Sequence, residues 1–314
     1  MAVFRSLLFA PGNHARRVEK ALTLDADAVI LDLEDACPIS EKASTRALVV
    51  ESLQRPRSCL GYVRVNPIAT EFGYGDICAV VRPNVDGIVV PKIEAADQLR
   101  TVDWLVAQIE REQGLPIGRI DIIPLIETGP GVARIEAIAQ SGTRVRRIAF
   151  GAGDYTFDMD LAWSRDELEF LPARSALVLA SRAAGLEPPI DTVWTDLRDK
   201  DGFAQSAARA RRLGFQGKLC IYPDQVPVVN AAFTPTDDEV ARARAVVGAF
   251  EKAEAEGSAS IQLNGQFIDY PIVYQAQRML AKMEKILARR QAADGQRASP
   301  VPQSGAVEAS AKSS

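Results

Sequence analysis

One histidine, His14, is the only imidazole in the 314-residue sequence. Schemes that need two histidines are therefore excluded, and a Ser-His-Asp triad or a papain-like dyad would have to be built on that residue alone. Its setting after Pro11-Gly12-Asn13 reads more readily as a helix cap or a solvent-facing side chain than as a base. Cysteine is scarce too. Cys37, Cys59, Cys78 and Cys220 form no C-x-x-C pair, so neither a thiolate zinc site nor a disulfide framework is suggested, and a reducing cytoplasm fits. No apolar run approaches the ~20 residues of a membrane span; Ala28 to Leu33 and Gly87 to Pro91 are among the longest. The opening MAVFRSLLFAPG has too short an apolar run for an export signal and is expected to be a first strand and turn. With 37 Lys+Arg against 41 Asp+Glu, the net charge of −4 gives no broad positive field for nucleic acid or anionic lipid. Gly151-x-Gly153 lacks a third glycine in register and runs into Asp154, so it is no dinucleotide fingerprint. What remains for acid-base work is carboxylates.

The sequence does hold a repeated pattern. Short apolar runs at Ser6 to Ala10, Ala28 to Leu33, Gly61 to Val65, Gly87 to Val90, Ile120 to Ile126, Arg147 to Phe150, Ile190 to Trp194 and Gly217 to Ile221 read as strands. Helical periodicity lies between them, at Arg17 to Leu24, Glu41 to Leu53, Asp97 to Gln113, Gly131 to Gln140, Leu171 to Ala184 and Phe203 to Leu213. Such alternation predicts an α/β fold, a (β/α)₈ TIM barrel, over 1–230. The cap-rich Thr234-Pro235-Thr236-Asp237-Asp238 then opens a helix, Asn264-Gly265 marks a hairpin turn, and a last helix runs from Tyr270 to about Arg290. This makes 231–290 a C-terminal lid or oligomerisation extension, and the small, polar 291–314 a disordered tail. The arginine runs Arg144 to Arg147 and Arg209 to Arg212 read as solvated faces.

Reacting groups of a TIM barrel sit on the loops after its strands. There the sequence places Asp32, Glu34 and Asp35; then Arg64; then Glu127; then Asp154. Adjacent parallel strands lie about 4.8 Å apart, so Glu127 and Asp154 can converge on one Mg²⁺, with water and a substrate oxygen completing the octahedron. The alternative is that each acid caps its following helix or pairs with an arginine. Arg64 stands in the apolar Tyr62-Val63-Arg64-Val65 and needs a carboxylate partner. Either Glu34 or Asp35 serves as that partner, or the guanidinium holds a substrate carboxylate or an enolate oxygen, or it does both.

The ordered strings RSLLFAPG, ADAVILDLEDA, EKASTRA, VRVNP, IVVPKIE, IIPLIETGPGV, FGAGDYTFDM, GKLCIYP and SIQLNGQFIDYPIVYQAQ together resemble the HpcH/HpaI aldolase and citrate lyase β-subunit family. The branch most similar in character comprises the citrate lyase β-subunit-like and malyl- or citramalyl-CoA lyases. The resemblance implies a (β/α)₈ barrel with a C-terminal extension, assembled as homotrimers or hexamers, with citrate lyase partner subunits as a further possibility. It implies a carbon–carbon lyase that needs Mg²⁺, splitting a citryl-, malyl- or citramalyl-type thioester of CoA or an acyl carrier into an acetyl-type thioester and a 2-oxo acid. A thioesterase or synthase on the same scaffold, or a non-catalytic thioester-binding subunit, is the alternative. Carried over by motif, Arg64 resembles the substrate-binding arginine, Glu127 a metal ligand beside the substrate and Asp154 the second metal carboxylate. Asp269 of FIDYP resembles an acid inserted over the site by a neighbouring subunit. Glu34 and Asp35, beside Arg64, complete the catalytic candidates. The chain departs from the family pattern at Ile221-Tyr222-Pro223, where I-H-P or I-N-P is usual, and at Asn13-His14, where an arginine commonly follows the glycine; Arg16 or Arg17 stands nearest.

Overall fold

Valine, isoleucine and leucine fill both faces of the strands because both faces are covered, one by the barrel interior and one by helices. The computed structural model describes residues 3–298. Its strands are β1 (Ser6–Pro11), β2 (Ala28–Asp32), β3 (Leu60–Arg64), β4 (Gly87–Val90), β5 (Asp121–Ile126), β6 (Ala149–Phe150), β7 (Ile190–Asp191) and β8 (Gly217–Cys220). They close in sequence order into a parallel barrel, with β8 paired back to β1, which is the expected TIM-barrel topology. Around it run α1 (Ala15–Thr23), α2 (Lys42–Ser52), α3 (Gly73–Val80), α4 (Ala96–Glu112), α5 (Gly129–Ala133), α6 (Ile135–Ala139), α7 (Ala152–Asp158), α8 (Leu171–Ala183), α9 (Lys200–Leu213) and α10 (Gln225–Phe233). The stretch expected as one helix from Gly131 to Gln140 is two short helices meeting at Arg134.

An inner core of Leu7, Ile30, Tyr62, Ile123, Leu125 and Leu219 fills the barrel, and a larger shell packs the strands against the helices. Each fully buried aliphatic side chain of this kind stabilises by about 1.5–3 kcal/mol. The N-terminal end is plugged. Arg147 lies 4.0 Å from the centre of the Phe4 ring and pairs with Asp121, which accepts a hydrogen bond of 2.8 Å from the Tyr62 hydroxyl. Arg147 is therefore not on a solvated face. Arg144 likewise meets Asp103 and Glu110, and Arg209 meets Glu167, because a guanidinium drawn out of water needs a carboxylate partner.

After the barrel come α11 (Asp237–Ala255), a hairpin of β9 (Ile261–Leu263) and β10 (Gln266–Ile268), and α12 (Tyr270–Ala298). Thr236 and Glu239 form the capping box that starts α11. Asn264 and Gly265 turn the hairpin with φ of 50° and 78°, the left-handed pair a two-residue turn requires. These elements share a small core of Val246, Phe250, Ile268 and Val273. Arg289 of α12 pairs with Asp27, next to the start of β2, so the extension is tied to the face opposite the strands' C-terminal ends. Two boundaries differ from expectation: α10 spans 230 while packing on β1 and β8, and α12 continues past Arg290 to Ala298. The rest of the expected tail, 299–314, lies outside the described residues.

Candidate active site

Along β2, β3 and β5 the inward side chains are Ala28 and Ile30, Tyr62, and Ile123 and Leu125. The two-residue period makes Asp32, Arg64 and Glu127 the next inward positions. All three line a cleft of about 390 Å³ together with Asp35, Gly151 and Asp154. A larger cavity, about 620 Å³, lies beside α12 near the opposite face, but its Arg55, Arg57 and Arg289 are paired with Glu19, Asp86 and Asp27. The smaller cleft gathers the chemistry.

Asp32 and Arg64 are register partners across β2 and β3. Two parallel bonds join them, Nε to Oδ1 at 2.7 Å and Nη2 to Oδ2 at 2.6 Å. Burial pushes Asp32 up, but the guanidinium and the Glu34 and Ala36 amides outweigh it and hold the carboxyl below its ordinary value. Arg64 thus takes as its main partner an acid other than the expected Glu34 or Asp35. Both of those are nonetheless present, 3.0 and 3.3 Å from Nη1. The contact with Glu34 lacks hydrogen-bond geometry, which leaves its buried Oε2 without a donor. Nη1 is the part of the guanidinium that remains for a ligand.

Glu127 follows β5 directly, is 3% exposed, and accepts the Lys92 amide at 3.0 Å on Oε1. A Cβ on Gly151 would stand 2.7 Å from the Glu127 Cβ and 2.5 Å from its Oε2, so any larger residue there would displace this carboxyl. Burial, then the nearby Glu34 and Asp154, push Glu127 up to about 8. Asp154 lies in the first turn of α7 and pairs at 2.7 Å with Lys92 Nζ, which also reaches Glu34 Oε1 at 2.8 Å. Neither acid caps a helix, since Thr128 caps α5 and Gly151 takes that place at α7. Neither meets an arginine. The motif IVVPKIE contained Lys92, but sequence reasoning gave the lysine no role. Its position immediately beyond a buried strand is the same signal that singled out the acids.

These groups suit a divalent cation of the hard, oxygen-seeking kind. Carboxylates at the mouth outnumber Arg64 and Lys92, and an ammonium already sits where Glu34 and Asp154 approach each other. No group of three or more His, Cys, Asp or Glu side chains poised for a metal is present among the described residues.

Asp269 stands apart. Its carbonyl accepts from the Ile272 and Val273 amides, which places it at the cap of α12, and it does not line the cleft of its own chain. His14 takes the cap position of α1, with an exposed ring that makes no capping bond. No helix among the described residues is long and apolar enough to cross a membrane.

Both the sequence and the fold are similar to those of other proteins. The chain is 39% identical to the citrate lyase subunit beta of Leuconostoc mesenteroides subsp. cremoris over 88% of its own length and 92% of the relative's. It is 32% identical to an L-malyl-CoA/beta-methylmalyl-CoA lyase of Rhodobacter capsulatus over 89% and 94% of the two chains. Its fold is similar to that of the CitE protein of Mycobacterium tuberculosis in complex with magnesium, acetoacetate and coenzyme A, with a TM-score of 0.73, 27% identity, and 90% and 99% of the two chains covered. Residues 5–223 match the sequence pattern of the HpcH/HpaI aldolase/citrate lyase family, and with that match spanning β1 to β8 the chain belongs to this family.

Proposed function

We propose that the protein is a Mg²⁺-dependent carbon–carbon lyase that cleaves a 3-hydroxyacyl-CoA thioester of the citryl, malyl or citramalyl type into an acetyl-type thioester and a 2-oxo acid. The observation that carries the reading is the convergence of Arg64, Glu127 and Asp154 on one inward-facing cleft. Glu127 and Asp154 would hold Mg²⁺, which when bound stabilises negative charge on the oxygen that becomes the ketone. Cleavage removes the hydroxyl proton and sends the electrons of the broken bond onto the thioester carbonyl. Arg64 Nη1 would hold that oxygen as it gains charge, and the bidentate Asp32 contact, which fixes the guanidinium plane in advance, supports this role. Glu34, whose carboxyl is raised by burial, and Asp35 lie beside Nη1 as acceptors for the hydroxyl proton. Incubation with citryl-, malyl- and citramalyl-CoA and Mg²⁺ tests the function directly. Acetyl-CoA and a 2-oxo acid are expected; free CoA alone would mean thioester hydrolysis, and no turnover of any of them would sink the reading.

The protonation that completes the reaction is assigned to Asp269 of a second copy in a homotrimer or hexamer. Apolar surface supports this. Phe157, Met159, Leu197 and Tyr222 are exposed on segments that follow β6, β7 and β8, and Phe267, Tyr270 and Tyr274 are exposed around Asp269. Burial of both sets against each other would bring the acid to the cleft. The reading extends to a cytoplasmic location, where the four unpaired thiols stay reduced.

Two outcomes follow from the electrostatics. Glu127 keeps its proton up to about 8, so a metal must displace that proton to bind. Mg²⁺ affinity is therefore expected to rise about tenfold per pH unit below this value and to level off above it, as calorimetry across pH would read. A flat profile below 8 contradicts a raised Glu127 as ligand. Arg64→Lys keeps one charge but cannot serve both Asp32 oxygens and a ligand together, so kcat/KM is expected to fall about a hundredfold. Near-normal turnover in that variant would remove Arg64 from the mechanism.

A further inference from the structure

Lys92 has a backbone and a side chain that point to two different tasks. Its φ of 53° lies in the left-handed region, which a side chain with a Cβ adopts rarely, and this conformation directs its amide at Glu127 Oε1, 3.0 Å away. Its ammonium meanwhile bridges Glu34 Oε1 at 2.8 Å and Asp154 Oδ2 at 2.7 Å. Both contacts are charge-assisted and hold the ammonium between the two carboxylates. One of its two partners is an acid assigned above to the metal.

We propose that Lys92 is a tethered rival of the metal: its ammonium neutralises the carboxylates when Mg²⁺ is absent, and must release Asp154 for Mg²⁺ to load. The inference rests on the magnesium reading of Glu127 and Asp154. A charge carried on the chain is present at high effective concentration, so it competes with free Mg²⁺ for Asp154. Two cations at one carboxylate also repel each other strongly within a few ångströms in a partly dry site. On release the ammonium keeps its bond to Glu34, so the residue is positioned rather than lost. Lys92 thereby weakens Mg²⁺ binding to the ligand-free protein and favours loading together with an anionic substrate, whose charge offsets the crowding. Lys92 acts here as a positioning residue.

The sign of the effect separates this role from a merely structural one. Lys92→Met removes the charge at similar bulk, Lys92→Gly also relieves the left-handed backbone, and Lys92→Arg keeps a cation. Calorimetric titration of each full-length protein with Mg²⁺ alone, all at the same pH, is expected to show about tenfold tighter binding for Met and Gly and little change for Arg. Without Mg²⁺, the Met and Gly variants are expected to melt lower than wild type, and to recover more than wild type when Mg²⁺ is added. Weaker or unchanged affinity in both uncharged variants overturns the proposal, because a structural lysine disorganises the site when removed. If neither wild type nor variants bind Mg²⁺ at all, the magnesium reading falls and takes this one with it. If wild type binds and the variants are no tighter, only the role of Lys92 fails.

Discussion

Alanine in place of Glu127 or Asp154 is expected to abolish Mg²⁺ binding in the millimolar range and to lower turnover about a thousandfold, while the barrel stays folded. A Mg²⁺ ion held, as proposed, by two carboxylates depends on both of them. Removal of one acid leaves a single anchor, and the lost charge stabilisation of several kcal/mol converts to about three powers of ten in rate. The fold has less at stake. Glu127 is an acid that burial and its neighbours push up, so its removal relieves the cost of burying it beside Glu34 and Asp154 and leaves only the Lys92 amide without its partner. Asp154 is partly exposed, and its ion pair is with Lys92, which keeps Glu34. Calorimetric titration with Mg²⁺ together with circular dichroism melts tests both statements. Wild-type Mg²⁺ affinity in both variants would remove the metal from these residues.

The barrel was legible because its strands announce themselves as short, mostly apolar runs that alternate with helical periodicity, and the two-residue period carries straight from core to site. Ile123 and Leu125 point inward, hence Glu127 does; Ala28 and Ile30 point inward, hence Asp32 does. Pairing between those positions was not legible. That Asp32 faces Arg64 depends on the register of β2 against β3, which no local pattern states. Glu34, Lys92 and Asp154 lie beyond the strands, where side-chain direction no longer follows a period, so the bridge made by Lys92 could not be read off. Weak helices escaped for a related reason. α3 has the sequence GYGDICAV, with two glycines in eight residues, and α10 carries Pro227 in its first turn; tertiary packing, rather than propensity, holds both in place. β6 and β7 came out shorter than expected, sharing only the pair Ala149 and Ile190. The strand pattern overstates a ladder wherever apolar residues continue into the loop.

Mixing two inactive proteins, Arg64→Ala and Asp269→Ala, is expected to restore about a quarter of wild-type activity if each site draws Arg64 from one subunit and Asp269 from the next. Within one chain the two residues belong to separate places: Arg64 lines the cleft, whereas Asp269 caps α12 in an extension tied by Arg289 to the opposite face. A site complete in one subunit would leave each variant protein inactive in every site, and mixing would change nothing. In a ring with shared sites, half of the subunits at equal mixing retain Arg64, and half of their neighbours retain Asp269, which gives the quarter. The loss in Asp269→Ala alone is expected to fall on proton transfer, so kcat should drop by about a hundredfold or more with little change in KM. Subunit exchange must be followed by mass, since rings that never exchange mimic a negative result. Once mixed rings are present, absence of recovery would place Asp269 outside the active site and return it to the role of a helix cap.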